Sequence, residues 1–210
     1  MNRREFALAL GAAPLAGWSL TAQAQPVEGK DYTRMSTSVP VAVPGKVEVL
    51  EFFGYWCPHC NELEPSLDEW LKKLPADVNF RRSPAAWQES HVPYQQLFFA
   101  FEALGIGSEI HPKVFQAVHG QRLRLDTDAG LAVFATANGL DKAKLADAMK
   151  SFGVASKVRM ANQLFGSYGV DGVPTLAVQG RFVTSPSQAG GDAATLKVVD
   201  ALIQKARASR

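Results

Sequence analysis

Apolar runs and the turn residues between them divide this chain into a short β-containing opening, a long helical middle and a second β-containing end. The clearest run is Val47 to Phe53, VEVLEFF, which reads as a strand buried on both faces, with Gly54, Tyr55 and Trp56 as the turn out of it. A helix then runs from Cys57 and Cys60 to about Leu74, with Leu63, Leu67, Trp70, Leu71 and Leu74 on one stripe. Pro65 falls inside this helix and predicts a kink, and Pro75 ends it. Val78 to Arg82 reads as a second strand. Ahead of the first run, Pro40 and Pro44 bar a helix, and a short edge strand is expected at Tyr32 to Met35.

From Ser83 the pattern turns to helix after helix, with no strand expected for about 70 residues. Helices are predicted over Trp87 to Leu104, Glu109 to His119 and Ala129 to Asn138, and another is capped by Asp141. The aromatic stripe Leu97, Phe98 and Phe101 reads as core, and Arg122 with Arg124 as a solvated turn. A helix from about Ala155 to Tyr168 leads back to an apolar strand that begins at Val173-Pro174, a context that favours a cis bond. Gln179-Gly180-Arg181 then turns a hairpin through Phe182 and Val183, and Gly190-Gly191 leads to a final helix carrying Leu196, Val199 and Leu202.

Cys57 and Cys60 are the only cysteines in the chain, separated by Pro58 and His59. Cys57 falls at or next to the N-cap of the predicted helix, Pro58 suits its first turn, and Cys60 lies within disulfide reach. A thiolate at that position faces unpaired backbone N–H groups and the positive end of the helix dipole, and a protonated His59 adds to the same stabilisation. Each unit by which the Cys57 pKa falls below about 8.5 stabilises thiolate over thiol by roughly 1.4 kcal/mol. Only the reduced form gains from this, so the pair is expected to give its disulfide away. A purely structural disulfide is the weaker reading, because so short a loop contributes only about 2 kcal/mol. A zinc site would need two further ligands, and His91, His111 and His119 show no paired spacing. No metal and no cofactor beyond the Cys57-Cys60 disulfide is expected.

Glu51 stands inside the apolar strand, where Leu50, Phe52 and Phe53 leave no exposed face. Burial is expected to raise its pKa and to let it shuttle protons for the cysteine pair; the alternative is an edge-strand acid reaching solvent.

Residues 1–24 combine a basic start, a short apolar run broken by Gly11, Pro14 and Gly17, and Ala22-Gln23-Ala24, the pattern of an export signal. Arg3-Arg4 also resembles the twin-arginine type, with general secretion as the default. Without this leader, 22 basic and 20 acidic residues become 20 and 19, a net charge of +1, which argues against nucleic acid as a partner. A single close cysteine pair in an exported chain reads as a pair for use.

Taken together, EFFGYWCPHC, the helical stretch after the second strand, and GVPT near the end resemble the thioredoxin superfamily and, within it, the DsbA family of bacterial disulfide oxidoreductases. The resemblance covers nearly all of the chain beyond the leader and implies an α/β thioredoxin fold, its two parts at 25–83 and 153–210, with an inserted helical subdomain at 84–152. It implies that Cys57 is the exposed nucleophile, Cys60 its buried partner, His59 a stabiliser of the thiolate and Glu51 the buried acid. Val173 and Pro174 would form the cis-proline loop that offers backbone groups to an extended substrate, beside an apolar groove. The implied role is a monomeric periplasmic oxidase that passes its disulfide to unfolded exported polypeptides and is reoxidised by a quinone-linked inner-membrane partner of the DsbB type. Two departures leave the groove's shape open: Trp56 precedes the first cysteine, as in many thioredoxins, and Pro65 resembles the thioredoxin helix kink that not every DsbA has. A reductase or isomerase of the same superfamily, or a non-catalytic chaperone or metal-binding module, are the competing readings.

Overall fold

Seven consecutive buried residues make Val47–Phe53 an inner strand, paired on both sides, as a run with no polar face requires. The computed structural model describes residues 25–209, so the leader expected over 1–24 lies outside the described residues. Among those residues five strands form one mixed sheet: β1 (Thr33–Arg34), β2 (Val47–Phe53), β3 (Val78–Pro84), β4 (Thr175–Val178) and β5 (Phe182–Thr184), in the order β1-β5-β4-β2-β3. β3 runs parallel to β2 and sets Glu51 opposite Arg82, whereas β4 runs antiparallel and sets Glu51 opposite Leu176.

The helices are α1 (Pro58–Leu71), α2 (Val92–Ala103), α3 (Gly107–Phe115), α4 (Asp128–Ala137), α5 (Lys142–Lys150), α6 (Phe152–Tyr168), α7 (Pro186–Ala189) and α8 (Asp192–Arg207). α1 and α8 cover one sheet face, packing Leu63, Leu67, Leu196, Val199 and Leu202 against Val47, Val49, Leu176 and Val178. On the other face Tyr168 and Phe165 of α6 lie over Leu50, Phe52 and Ala177. Phe53, Tyr55, Cys57 and Cys60 belong instead to the core of the helical region, with Phe98, Phe101, Phe115 and Phe134. The cysteines therefore sit where the sheet meets the helices that intervene between β3 and β4.

Several boundaries differ from those the sequence predicts. α1 ends at Leu71, three residues early, and continues through Pro65 as a helix. β3 extends to Pro84. α2 begins at Val92 after a single 3-10 turn at Glu89–His91, because Pro93 has no N–H and fits only the first turn of a helix. α3 starts at Gly107 and passes into a π-helical turn over Gln116–Gly120. α6 begins at Phe152, where the Ser151 hydroxyl accepts the Val154 N–H. The Asp141 cap forms as predicted, accepting from Ala143 and Lys144. In the hairpin turn Gln179 and Gly180 both take positive φ, 54° and 63°, and a Cβ on Gly180 would lie 1.9 Å from the Val39 carbonyl oxygen.

Candidate active site

β2 delivers the chain to the site, and the bend at Gly54 to Trp56 turns it into α1. Cys57 is the N-cap of that helix with extended backbone angles, and Pro58 opens the first turn. Both cysteines are free thiols; Cys57 is 5% exposed and Cys60 0%. Cys57 is thus far more covered than the exposed nucleophile the resemblance implies, because the loop around Val173 lies against it. The Cys57 thiol donates to the Val173 carbonyl oxygen at 3.4 Å, and the Val173-Pro174 bond is cis, as its context predicts.

The two thiols differ sharply in acidity. Cys57 is lowered from 9.0 to about 6, first by a hydrogen bond from the Cys60 thiol and then, against the cost of burial, by the backbone N–H groups of Cys60 and His59. The attraction of the His59 charge is the smallest of these effects. Burial and the neighbouring Cys57 push Cys60 far up, so it remains a thiol. His59 itself is exposed, and its Nδ1 pairs with Glu62 at 2.8 Å, which raises its pKa. His59 lies in solvent, which screens its charge, so the neighbouring thiol and backbone groups outweigh it at Cys57.

Glu51 is fully buried, ruling out the edge-strand alternative, and desolvation pushes its pKa up to about 7 against the opposing pull of Arg82. Its Oε2 accepts from Arg82 Nε at 2.9 Å, while its Oε1 is buried with no hydrogen-bond partner among the described residues. Arg82 Nη2 reaches Glu64 Oε2 and Oε1 at 3.0 and 3.3 Å and approaches Asp68 at 4.0 Å. Glu64, mostly buried on α1, is likewise raised to about 7 by desolvation. His111 of α3 is held near 3 by burial and by Arg82, so its 3.2 Å contact from Nε2 to Glu64 is a hydrogen bond of a neutral ring. The other ring nitrogen meets the Tyr55 hydroxyl at 2.7 Å.

Arg82, Glu64, His111 and Tyr55 are not among the site residues that sequence reasoning singles out. Two signals were present: Glu64 stands four residues after Cys60 on the buried side of α1, and Arg82 ends the predicted second strand. Trp56 adds an aromatic wall, its ring stacked on His91 at 3.8 Å and edge-on to Trp87 at 5.2 Å.

A groove of about 300 Å³ runs beside the cysteines, lined by His59, Asp171, Val173, Pro174, Pro186 and Asp192 among others. Its exposed lining is mostly apolar, with serines and two aspartates alongside the prolines and Val173.

The chain matches the family described as DSBA-like thioredoxin domain over residues 78–193. It is 41% identical to the thiol:disulfide interchange protein DsbA of Burkholderia cepacia, covering 94% of this chain and 93% of that one. It is also 41% identical to the protein of the same name from Bordetella parapertussis, over 99% of this chain and all of the other. Among solved structures it superposes on Pseudomonas aeruginosa DsbA with a TM-score of 0.83 at 40% identity, covering 88% of this chain and 96% of that one. Xylella fastidiosa DsbA gives 0.81 at 28% identity, covering 88% and 100%. With the cysteine pair at a helix N-terminus and the proline loop against it, the chain belongs to the DsbA family of thiol:disulfide oxidoreductases and is a thiol:disulfide oxidase with a helix-inserted thioredoxin fold.

Proposed function

We propose that the oxidised protein donates its Cys57-Cys60 disulfide to newly exported, unfolded polypeptides. The observation that carries this is the split between the two thiols: Cys57 ionises at about 6 while the buried Cys60 stays protonated. A substrate thiolate attacks Cys57 Sγ, the Cys57–Cys60 bond breaks, and Cys60 leaves with the electron pair and takes up a proton. A second substrate thiolate then attacks the substrate sulfur of the mixed disulfide and releases Cys57 as its favoured thiolate. Two electrons pass from the substrate to the cysteine pair, and no cofactor other than that disulfide takes part.

Roles follow for the remaining residues. Pro58 starts the helix that stabilises the thiolate, His59 adds a weak positive charge, and Glu51 serves as the buried acid for Cys60. Val173 and Pro174 present backbone to an extended substrate strand lying along the groove, a mode that is tolerant of sequence. The regions 25–83 and 153–210 carry these groups, and the helical subdomain 84–152 completes the wall. By analogy with its DsbA relatives, the protein works as a monomer in the periplasm and is reoxidised by a quinone-linked inner-membrane oxidase of the DsbB type.

The test is the thiol-disulfide equilibrium against glutathione, read from the fluorescence of Trp56 beside Cys57. A potential well above glutathione's, together with mixed disulfides trapped on Cys57 by Cys60→Ser, is the expected result. A potential near that of thioredoxin, about −270 mV, would make the protein a reductase. Binding of unfolded chains that Cys60→Ser leaves unchanged would make it a holding protein.

A further inference from the structure

Behind the cysteines the fold buries two carboxylates, Glu51 and Glu64, around one guanidinium, Arg82. With both acids ionised the cluster carries a net negative charge out of water; one bound proton makes it neutral. The other groups facing it do not change that count near neutrality. His111 is uncharged, Asp68 approaches only from a half-exposed position, Tyr55 is raised further above its ordinary range by burial, and Cys60 is a thiol.

The two acids are not equivalent hosts for that proton. Glu64 receives Arg82 Nη2 on both oxygens and His111 Nε2 on Oε1, the pattern that favours a carboxylate. Glu51 receives one hydrogen bond, on Oε2, and its Oε1 is buried and unpartnered among the described residues. The Tyr55 hydroxyl decides the histidine's tautomer. It meets His111 Nδ1, and donating there leaves the ring's own hydrogen on Nε2, aimed at Glu64. The opposite tautomer would strand the phenol hydrogen and face a lone pair to the carboxylate.

We infer that His111, oriented by Tyr55, is a positioning residue that keeps Glu64 ionised and so places the shared proton on Glu51, the acid that acts on Cys60. The inference rests on the reading of Glu51 given above and adds what sets its protonation state. A neutral Glu51 removes a negative charge that opposes the leaving Cys60 thiolate and holds the proton that thiolate needs: the Glu51 O–H bond breaks, water relays the proton, and the Cys60 S–H bond forms. The cavity of about 400 Å³ lined by Arg82, His111, Ser108 and Glu102 gives the cluster a solvent-facing side from which that proton is replaced.

Infrared spectroscopy of the oxidised protein near neutral pH detects the proton directly. A protonated-carboxyl band is expected, assigned to Glu51 rather than Glu64 by the side-chain carboxyl carbon shifts in NMR, because replacing either acid by Gln leaves the other paired with Arg82 in a cluster that is already neutral. In His111→Leu the band should pass to Glu64, and the step that breaks the Cys57–Cys60 bond should slow about tenfold with a displaced pH profile. His111→Gln, whose amide still donates to Glu64, should restore the band to Glu51; Tyr55→Phe should move it part of the way and gives the same readout if His111→Leu does not fold. A wild-type band assigned to Glu64, or one that stays on Glu51 in both His111→Leu and Tyr55→Phe, overturns the inference. If Glu51→Gln leaves the pH profile unchanged, the role of Glu51 itself fails, a result distinct from a proton that sits on Glu51 but ignores His111.

Discussion

The acidity of Cys57 should write itself into the stability of the reduced protein, and the size of the effect follows from the site. Its pKa falls from 9.0 in the unfolded chain to about 6 in the fold, a drop of about three pH units, on the order of 4 kcal/mol when fully expressed. A folded pKa that is depressed adds stability above the unfolded value and loses it as pH falls through the folded one. The window is therefore pH 6 to 9, and the contribution works out at roughly 1.4 kcal/mol at pH 7 and roughly 2.7 kcal/mol at pH 8. At pH 7 that is about 30 mV of oxidising power. Cys60 has the opposite sign, since its raised pKa costs stability only as pH climbs past 9.0. The assay is urea unfolding of the oxidised and reduced forms at half-unit steps from pH 5 to 9. Glu51 and Glu64 titrate in both forms and largely cancel in the difference, and the cross-link's effect on the unfolded chain is a constant offset. The gap should tilt toward the reduced form as pH rises through 6 to 8, and Cys57→Ser, which forms no disulfide and has no thiol at that position to titrate, should follow pH as the oxidised form does. A gap that stays flat over that window in the unsubstituted protein would refute the ranking of forces at Cys57.

Three further outcomes follow from other parts of the structure. Arg82→Met leaves Glu51 and Glu64 without their cation and should cost about 3 to 5 kcal/mol by urea unfolding at pH 8. Both acids already titrate above their ordinary 4.5, and their folded values rise further without Arg82, so that loss should shrink as pH falls toward 5. Gly180→Ala drives a Cβ to within 1.9 Å of the Val39 carbonyl at positive φ and should destabilise the fold by more than the roughly 1 kcal/mol typical of a strained turn, seen as a lower thermal midpoint, with little change in redox potential. Asp141→Ala removes both capping hydrogen bonds of α5 and should cost about 1 kcal/mol, read from the same melts.

How much of this was legible in the sequence depended on whether the signal was local. VEVLEFF, the cysteines at a helix start, the Asp141 cap and the proline after Val173 each carry their meaning within a few residues, and each lies where it was expected. The burial of Glu51 was legible for the same reason, since its neighbours admit no polar face. Its partners were not. Arg82 meets Glu51 only because β3 pairs with β2 in one particular parallel register, and His111 arrives at Glu64 from a helix 47 residues further on. Pattern along the chain marks which side of a strand is buried, whereas the identity of the residue across from it is fixed by pairing. Helix starts were misjudged where one residue outweighed the apolar period, as Pro93 does in α2 and Ser151 in α6.

The hydrogen bond from Cys57 to the Val173 carbonyl has a consequence for timing. That carbonyl is engaged only while sulfur carries hydrogen, which it does in neither the disulfide nor the thiolate. In the disulfide the oxygen is open to an N–H of an incoming chain, just when a chain is wanted. In the thiolate, lone pairs on sulfur and oxygen face each other, and the loop has no latch to hold it closed. The protonated dithiol is the one resting state in which the docking edge is occupied by the protein's own atom. Because Cys57 ionises at about 6, the latch closes only as pH falls through that value, and near neutrality the docking edge is free in both redox states.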